Sequence, residues 1–246
     1  MKRRAMCLGF ALASVVAPAA QAAPDDYVAT PGVEYGEREI ELRFGTASPT
    51  SDERRVSAGS LAFGYGVTPW WFTEIYAKFN RFGGEATRFD AFEWENKLQL
   101  TEPGQYFVDL GLLIEIERPH DRSEGYELRI GPLLQKDFGP VQANFNVLLE
   151  RHFRTEEPGI TELGYQWQLK YRWRPELEFG AQGFGDVGQW NDWEPAHEQS
   201  HVLGPALFGK FRLGGRDVLK YNAALLFKAS SAAPQRTVRA QLEYEF

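Results

Sequence analysis

Residues 237–246, TVRAQLEYEF, end the chain on an aromatic residue. Val238, Ala240, Leu242, Tyr244 and Phe246 alternate with Arg239, Gln241, Glu243 and Glu245, the period-2 pattern of a strand with one apolar and one polar face. Terminal residues normally fray. A strand that stays amphipathic to its last residue needs a partner along both edges, and an environment that rewards burying its apolar side.

The same alternation recurs about twelve times from Val33 onward, in segments of about 10 to 14 residues, the length of a strand crossing a bilayer at a tilt. In EIELRFG, Ile40, Leu42 and Phe44 oppose Glu39, Glu41 and Arg43. In WWFTEIYAKF, Trp71, Ile75 and Phe79 oppose Glu74, Tyr76 and Lys78. In YFVDLGLLIEIE, Tyr106, Val108, Leu110, Leu112, Ile114 and Ile116 oppose Asp109, Gly111, Glu115 and Glu117. The clearest segment is ELGYQWQLKYRW, with Leu163, Tyr165, Trp167, Leu169, Tyr171 and Trp173 against Gln166, Gln168, Lys170 and Arg172. No sustained helical period and no low-complexity linker interrupts the series, so residues 33–246 read as one all-β domain.

Connection lengths alternate. VTPW, TEPGQ, DFGP, RPE and LGGRD are tight turns, whereas TASPTSDER, FGGEATR, RPHDRSEG, RTEEPGIT, DVGQWNDWEPAHEQS and SSAAPQ are mostly longer and more polar. Short turns at one rim and long loops at the other are the plan of an antiparallel up-and-down transmembrane barrel of about twelve strands, with both chain ends on the short-turn, periplasmic side. Outward-parity aromatics gather at that rim, among them Tyr65, Trp71, Tyr106, Tyr171, Trp173, Phe211, Tyr221, Tyr244 and Phe246. A soluble barrel with its apolar face inward is the competing arrangement, and the density of charge on the opposite face argues against it.

The other end of the chain agrees. MKRRAMCLGFALASVVAPAAQAA places Lys2, Arg3 and Arg4 before an apolar run and closes on Ala20-Gln21-Ala22, the layout of a cleaved secretory signal over 1–22. Residues 23–32 then read as a periplasmic tail. Cys7 lies in the signal, so the mature chain offers neither a disulfide nor a thiol catalyst. Lys+Arg number 27 against 34 Asp+Glu, and without the three basic signal residues the balance is 24 against 34, which excludes nucleic acid as a natural partner. A mean hydropathy of −0.42 does not exclude a membrane barrel, since only alternate residues meet lipid. The expected location is the bacterial outer membrane.

Tyr244 and Phe246 also resemble the C-terminal signature of bacterial outer-membrane proteins, which implies recognition by the barrel-assembly machinery. The stretches GYGVTPWWFTEIY and FEWENKLQLTEPGQYFVDLGLL, with the LEYEF end, resemble the outer-membrane channels grouped with the phenol-degradation meta pathway. That resemblance spans most of the barrel, rests on hairpin style, implies a channel-like protein and assigns no site residues.

The inward parity is charged, with signs sorted around the wall. Glu37, Glu39, Glu41, Glu74, Glu93, Glu95, Asp109, Glu115 and Glu117 form an acidic wall; Lys170, Arg172, Lys210, Arg212, Lys220 and Lys228 form a basic one. Two opposed walls would set a field across a watery lumen and filter solutes by charge. The same groups, with Arg43, Lys78, Lys97 and Arg129 interleaved, are alternatively expected to pair and fill a narrow interior. The reading is therefore a passive channel for small solutes of unidentified chemistry, in contact with outer-membrane lipid, with no cofactor and no enzymatic activity. Its alternatives are a closed barrel with an extracellular ligand- or metal-binding loop, or a loop metallohydrolase.

Two motifs bear on those alternatives. GFGDVG places Gly183, Gly185 and Gly188 in a dinucleotide-type spacing, but no helix follows to receive a pyrophosphate. HEQSH places His197, Glu198 and His201 in the zinc-protease spacing, with Gly204 where the extended motif wants glycine. Leu207 replaces the third histidine, and the tenth strand must start at once, so a catalytic helix does not fit and only a loop metal site is left as a candidate.

Overall fold

The computed structural model describes residues 23–48, 54–155 and 159–246; the expected signal at 1–22 and parts of the TASPTSDER and RTEEPGIT loops lie outside the described residues. Among these, twelve strands follow one another: β1 (Arg38–Ser48), β2 (Val56–Thr68), β3 (Trp71–Phe82), β4 (Arg88–Gln99), β5 (Asp109–Pro119), β6 (Tyr126–Phe138), β7 (Val141–Phe153), β8 (Thr161–Arg174), β9 (Leu177–Gln189), β10 (Ser200–Gly214), β11 (Asp217–Lys228) and β12 (Arg236–Glu245). Every strand pairs antiparallel with its chain neighbours, and β12 closes on β1 through a register from Glu39 opposite Glu245 to Ser48 opposite Arg236. The sheet has no free edge. The only helical element among the described residues is a 3-10 turn at Arg122–Glu124.

Alternation explains the burial. Ile75 is 61% exposed and Phe92 57%, and Leu42, Phe63, Leu207 and Leu242 stand outward beside them. Their chain neighbours Glu41, Ala62, Glu74, Glu93 and Gln241 are buried inside. This inversion of a soluble core leaves a continuous apolar belt, which water would not tolerate and lipid would. Closure at the final residue is direct: the Phe246 amide donates to Arg38 O at 2.9 Å, and the Tyr244 and Phe246 rings stack with centroids 5.5 Å apart.

Four short-rim turns contain two residues each, but β4 and β5 are joined by 100–108. The alternation at Tyr106 and Val108 reads as strand, yet pairing stops at Gln99 opposite Gly111. Polar groups of the turn take over there: Asp109 Oδ1 accepts from Gly104 N at 2.6 Å, and Thr101 Oγ1 from Leu110 N at 2.8 Å. Tyr106 and Phe107 consequently project from the rim, Phe107 83% exposed.

The largest departure concerns residues 23–32, expected outside on the periplasmic side. They thread through the barrel. Ala23 and Pro24 lie beside Ser200 and Thr237 at the long-loop end, while Val33 N donates to Gln99 Oε1 (2.9 Å) at the short-turn end. The physical reason is an apolar patch on the inward parity. Leu113, Leu133 and Leu148 pack against Tyr27 and Ala29, and Phe184, Val202, Phe208 and Leu226 pack around Val28. Two glycines make room: a Cβ on Gly45 would lie 2.0 Å from Pro24 O, and one on Gly111 would lie 2.8 Å from Pro31 Cβ. The tail covers what would otherwise be oily surface in a polar lumen.

Candidate functional site in the barrel lumen

Strand stagger organises the acidic side chains. Pairing runs from Glu39 on β1 to Gly64 on β2, Glu74 on β3, Glu95 on β4, Glu115 on β5, Arg129 on β6, Glu150 on β7 and Glu162 on β8. All lie on one rung of the hydrogen-bonded sheet. Because the strands are staggered, that rung is oblique: Glu39 is the second residue of β1 from the short-turn end, Glu74 the fourth of β3, Glu115 the seventh of β5 and Glu150 the tenth of β7. The carboxylates thus form a ramp from one mouth to the other. A second ramp, displaced by two residues, runs from Glu41 past Ala62 and Tyr76 to Glu93, Glu117, Glu127 and His152. Across the seam, Glu245 and Glu243 on β12 extend the two ramps.

Side chains on adjacent strands of one rung have Cβ atoms about 4.5–5.5 Å apart, so like charges there repel unless countered. Fixed cations are interleaved. Lys78 Nζ lies 3.0 Å from Glu93 Oε2 and 2.5 Å from Glu117 Oε2. Arg129 spans Glu115 and Glu150 at 3.1 Å each and reaches Glu127 at 3.9 Å. Arg43 pairs with Glu41, bonds the Tyr76 hydroxyl and has its guanidinium carbon 3.5 Å from the centroid of the Tyr27 ring. Glu74 is less well served: Lys97 stands 4.0 Å from its Oε2, and its buried Oε1 has no hydrogen-bond partner among the described residues.

Carboxylate and imidazole ligand atoms converge to within 4.8 Å of one another in four groups among the described residues: Glu37, Glu39 and Glu245; Glu39, Glu41 and Glu74; Glu93, Glu95 and Glu115; and Glu127, Glu150 and His152. They follow one another up the ramps. The tail touches the middle of this series. The Tyr27 hydroxyl donates to Glu95 at 2.7 Å, Asp26 Oδ1 lies 3.5 Å from Arg129, and Ala29 O accepts from Asn146 Nδ2 at 2.9 Å. Beside the tail's long-loop end is a cavity of about 290 Å³ walled by Asp25, Asp26, Asp90, Glu117, Glu127, Glu150 and Asp186, with Lys78 and Arg129 as its fixed cations.

Of the acidic residues read from sequence, Glu39, Glu41, Glu74, Glu93, Glu95, Glu115 and Glu117 occupy the ramps, and Glu37 adjoins them near Lys220 (4.0 Å). Asp109, the first residue of β5, instead holds the β4–β5 turn by accepting from Gly104 N. The basic residues do not make a matching wall. Lys170 pairs with Glu178 at 3.5 Å inside, and Lys220 pairs with Glu243 at 3.5 Å and with Glu245. Arg172 pairs with Asp137 at 2.8 Å near the short rim, Lys210 and Arg212 stand exposed on the overhanging end of β10, and Lys228 stands exposed at the long-loop end. The wall facing the acids is made of amides: Asn144, Asn146, Gln166, Gln168 and Gln182 are buried there, with Gln182 Nε2 donating to Gln168 Oε1 at 2.7 Å. Sequence reading missed Glu127, Glu150, Glu162, Glu243, Glu245 and His152, although each shares the inward parity of a residue already recognised.

HEQSH is not assembled into a ligand set. β10 claims Ser200 and His201, and an extended backbone sends those neighbours to opposite faces. His201 Nδ1 is 3.0 Å from the Tyr165 hydroxyl and Nε2 is 3.0 Å from Gln199 Oε1, while His197 and Glu198 pair at 3.2 Å in solvent. Gly183 and Gly185 lie within β9, where a Cβ would strike the Trp167 and Tyr165 rings.

No family model and no curated protein matches the sequence. Solved structures do. A crystal structure of an outer membrane channel from Pseudomonas putida F1 superposes with a TM-score of 0.63 at 11% identity, covering 89% of this chain and 98% of that one. The Acinetobacter baumannii outer membrane protein Omp33 matches at 11% identity over 87% of this chain and 100% of that one, with a TM-score of 0.45. With its closed twelve-strand antiparallel sheet, the chain has the fold of a bacterial outer-membrane β-barrel.

Proposed function

We propose that this protein is a passive outer-membrane channel for small solutes, exported by a signal cleaved after Ala22 and inserted by the barrel-assembly machinery through its Tyr244/Phe246 end. The apolar belt suits lipid outside, and in this reading the short turns face the periplasm and the long loops face out of the cell. The observation that carries the reading is the lumen: its charged and amide-lined walls enclose a cavity of about 290 Å³ beside the tail. Residues 23–33 narrow the passage, and their displacement widens it.

Single-channel recording of purified protein in planar bilayers tests this. Discrete ohmic steps are expected, small in the full mature chain and larger after deletion of 23–33. Silence from both proteins, each shown to be folded by heat-modifiable gel mobility, would sink the proposal.

A further inference from the structure

We infer that the solutes this lumen favours are small cations, inorganic ions such as K⁺ and Mg²⁺ or compact ammonium compounds, handed along the carboxylate ramps. The inference rests on the channel reading and adds the charge class of the permeant.

Three observations carry it. First, carboxylates recur along the ramps from one mouth to the other. Gly64 puts a gap in the first ramp between Glu39 and Glu74, but because it projects no side chain, those two carboxylates and Glu41 converge to within 4.8 Å. Each converging group is three carboxylates, or two and an imidazole, so a cation finds oxygen ligands at every level it passes. Second, Glu74 Oε1 is unpartnered in a residue only 1% exposed, in the group nearest the short-turn end but one. Burying an ionised carboxylate oxygen without a donor is costly, and a passing cation supplies the missing partner. Third, acids outnumber bases at both ends of the ramp. The cavity toward the long loops has seven carboxylates to two fixed cations, and at the other mouth Lys220 reaches Glu37, Glu243 and Glu245 within 4.0 Å. Low-dielectric walls focus such a field, raising the local concentration of cations and repelling anions.

Arg129 is the barrier in this path. It stands on the first ramp between Glu115 and Glu150 and binds both, so an ion must draw those carboxylates from the guanidinium to pass. Asp26 of the tail holds Arg129 from the lumen side. The path is therefore a chain of sites interrupted once, which gives slow and selective conduction.

The test is the reversal potential across a KCl gradient, for the mature chain and for E74Q/E95Q/E115Q. The carboxamides keep shape and remove repulsion, so the variant is expected to fold. The mature chain should prefer K⁺ over Cl⁻ by several-fold and the variant should fall toward no preference, while E85Q, in an exposed loop pair with Arg54, should leave the preference unchanged. Millimolar Mg²⁺ should reduce the K⁺ current of the unaltered protein by lodging on the ramp. Conductance with anion preference, or a cation preference unmoved by the triple change and by Mg²⁺, overturns this inference and leaves the channel standing. Absence of conductance with and without the tail overturns both.

Discussion

The Tyr27 hydroxyl lies 2.7 Å from each oxygen of Glu95, binding the segment before the first strand to the middle of β4. The Arg43 guanidinium lies over the same ring. This contact joins the tail to the acidic lumen, and it is the natural place to loosen one from the other.

Tyr27→Phe leaves Glu95 buried without that donor, a loss of about 1–3 kcal/mol in docking of the tail. Since each 1.4 kcal/mol is about tenfold in an equilibrium, the undocked population should rise by about one to two orders of magnitude. The chain has no cysteine outside 1–22, so a single Val28→Cys probe reads this cleanly. Maleimide labelling should quicken in the Tyr27→Phe background; equal rates would mean the hydroxyl does not hold the tail.

Gly45→Val should expel the top of the tail without opening the sheet. Its Cβ would sit 2.0 Å from Pro24 O, whereas the backbone pairing of β1 at that position is unaffected. Larger conductance with unchanged heat-modifiable mobility is the expected result. An unchanged conductance would show that Pro24 does not obstruct the passage.

Ile75→Arg tests what touches the outside. Ile75 is 61% exposed in the middle of β3 and faces away from the lumen. Arginine at bilayer mid-depth costs about 2–4 kcal/mol, falling to about 0–1 kcal/mol near the interfaces. Equilibrium unfolding from lipid vesicles should show a loss in that range, and no loss would place water at this face.

Deleting Phe246 removes the amide bonded to Arg38 O and the ring stacked on Tyr244. Assembly in cells should fall several-fold, read as the fraction of heat-modifiable barrel in the membrane. Phe246→Tyr should retain most of it, and equal assembly of all three forms would remove the terminal aromatic from the account.

Strand positions were legible because period-2 alternation reports directly on a wall with lipid on one side and a polar lumen on the other. The seam was legible too, since an alternating strand that ends at Phe246 needs a partner. The start of β5 was not: Tyr106 and Val108 alternate correctly, and only the hydrogen bonds of Thr101 and Asp109 show that a turn has claimed them. The tail was missed because residues 23–33 have no periodicity. A hint existed in Leu113, Leu133, Leu148 and Phe184, apolar residues on the polar parity that require cover. Inward charge could be assigned residue by residue, but which acids stand side by side depends on pairing register, so Glu74, Glu95 and Glu115 become neighbours only in three dimensions. The basic wall failed for a related reason: Lys210 and Arg212 have the right parity on a strand that outruns the barrel.

The ramps belong to no single strand. Sliding β4 by two residues so that Lys97 came to face Glu74 and Glu115 would keep every side chain on its proper face, preserve composition and satisfy a hydropathy profile, yet it would break the first line of carboxylates with a fixed cation. The wiring of this lumen is stored in how the staves of the barrel are offset, so an insertion in a loop is harmless to it while a paired insertion within a stave disconnects it.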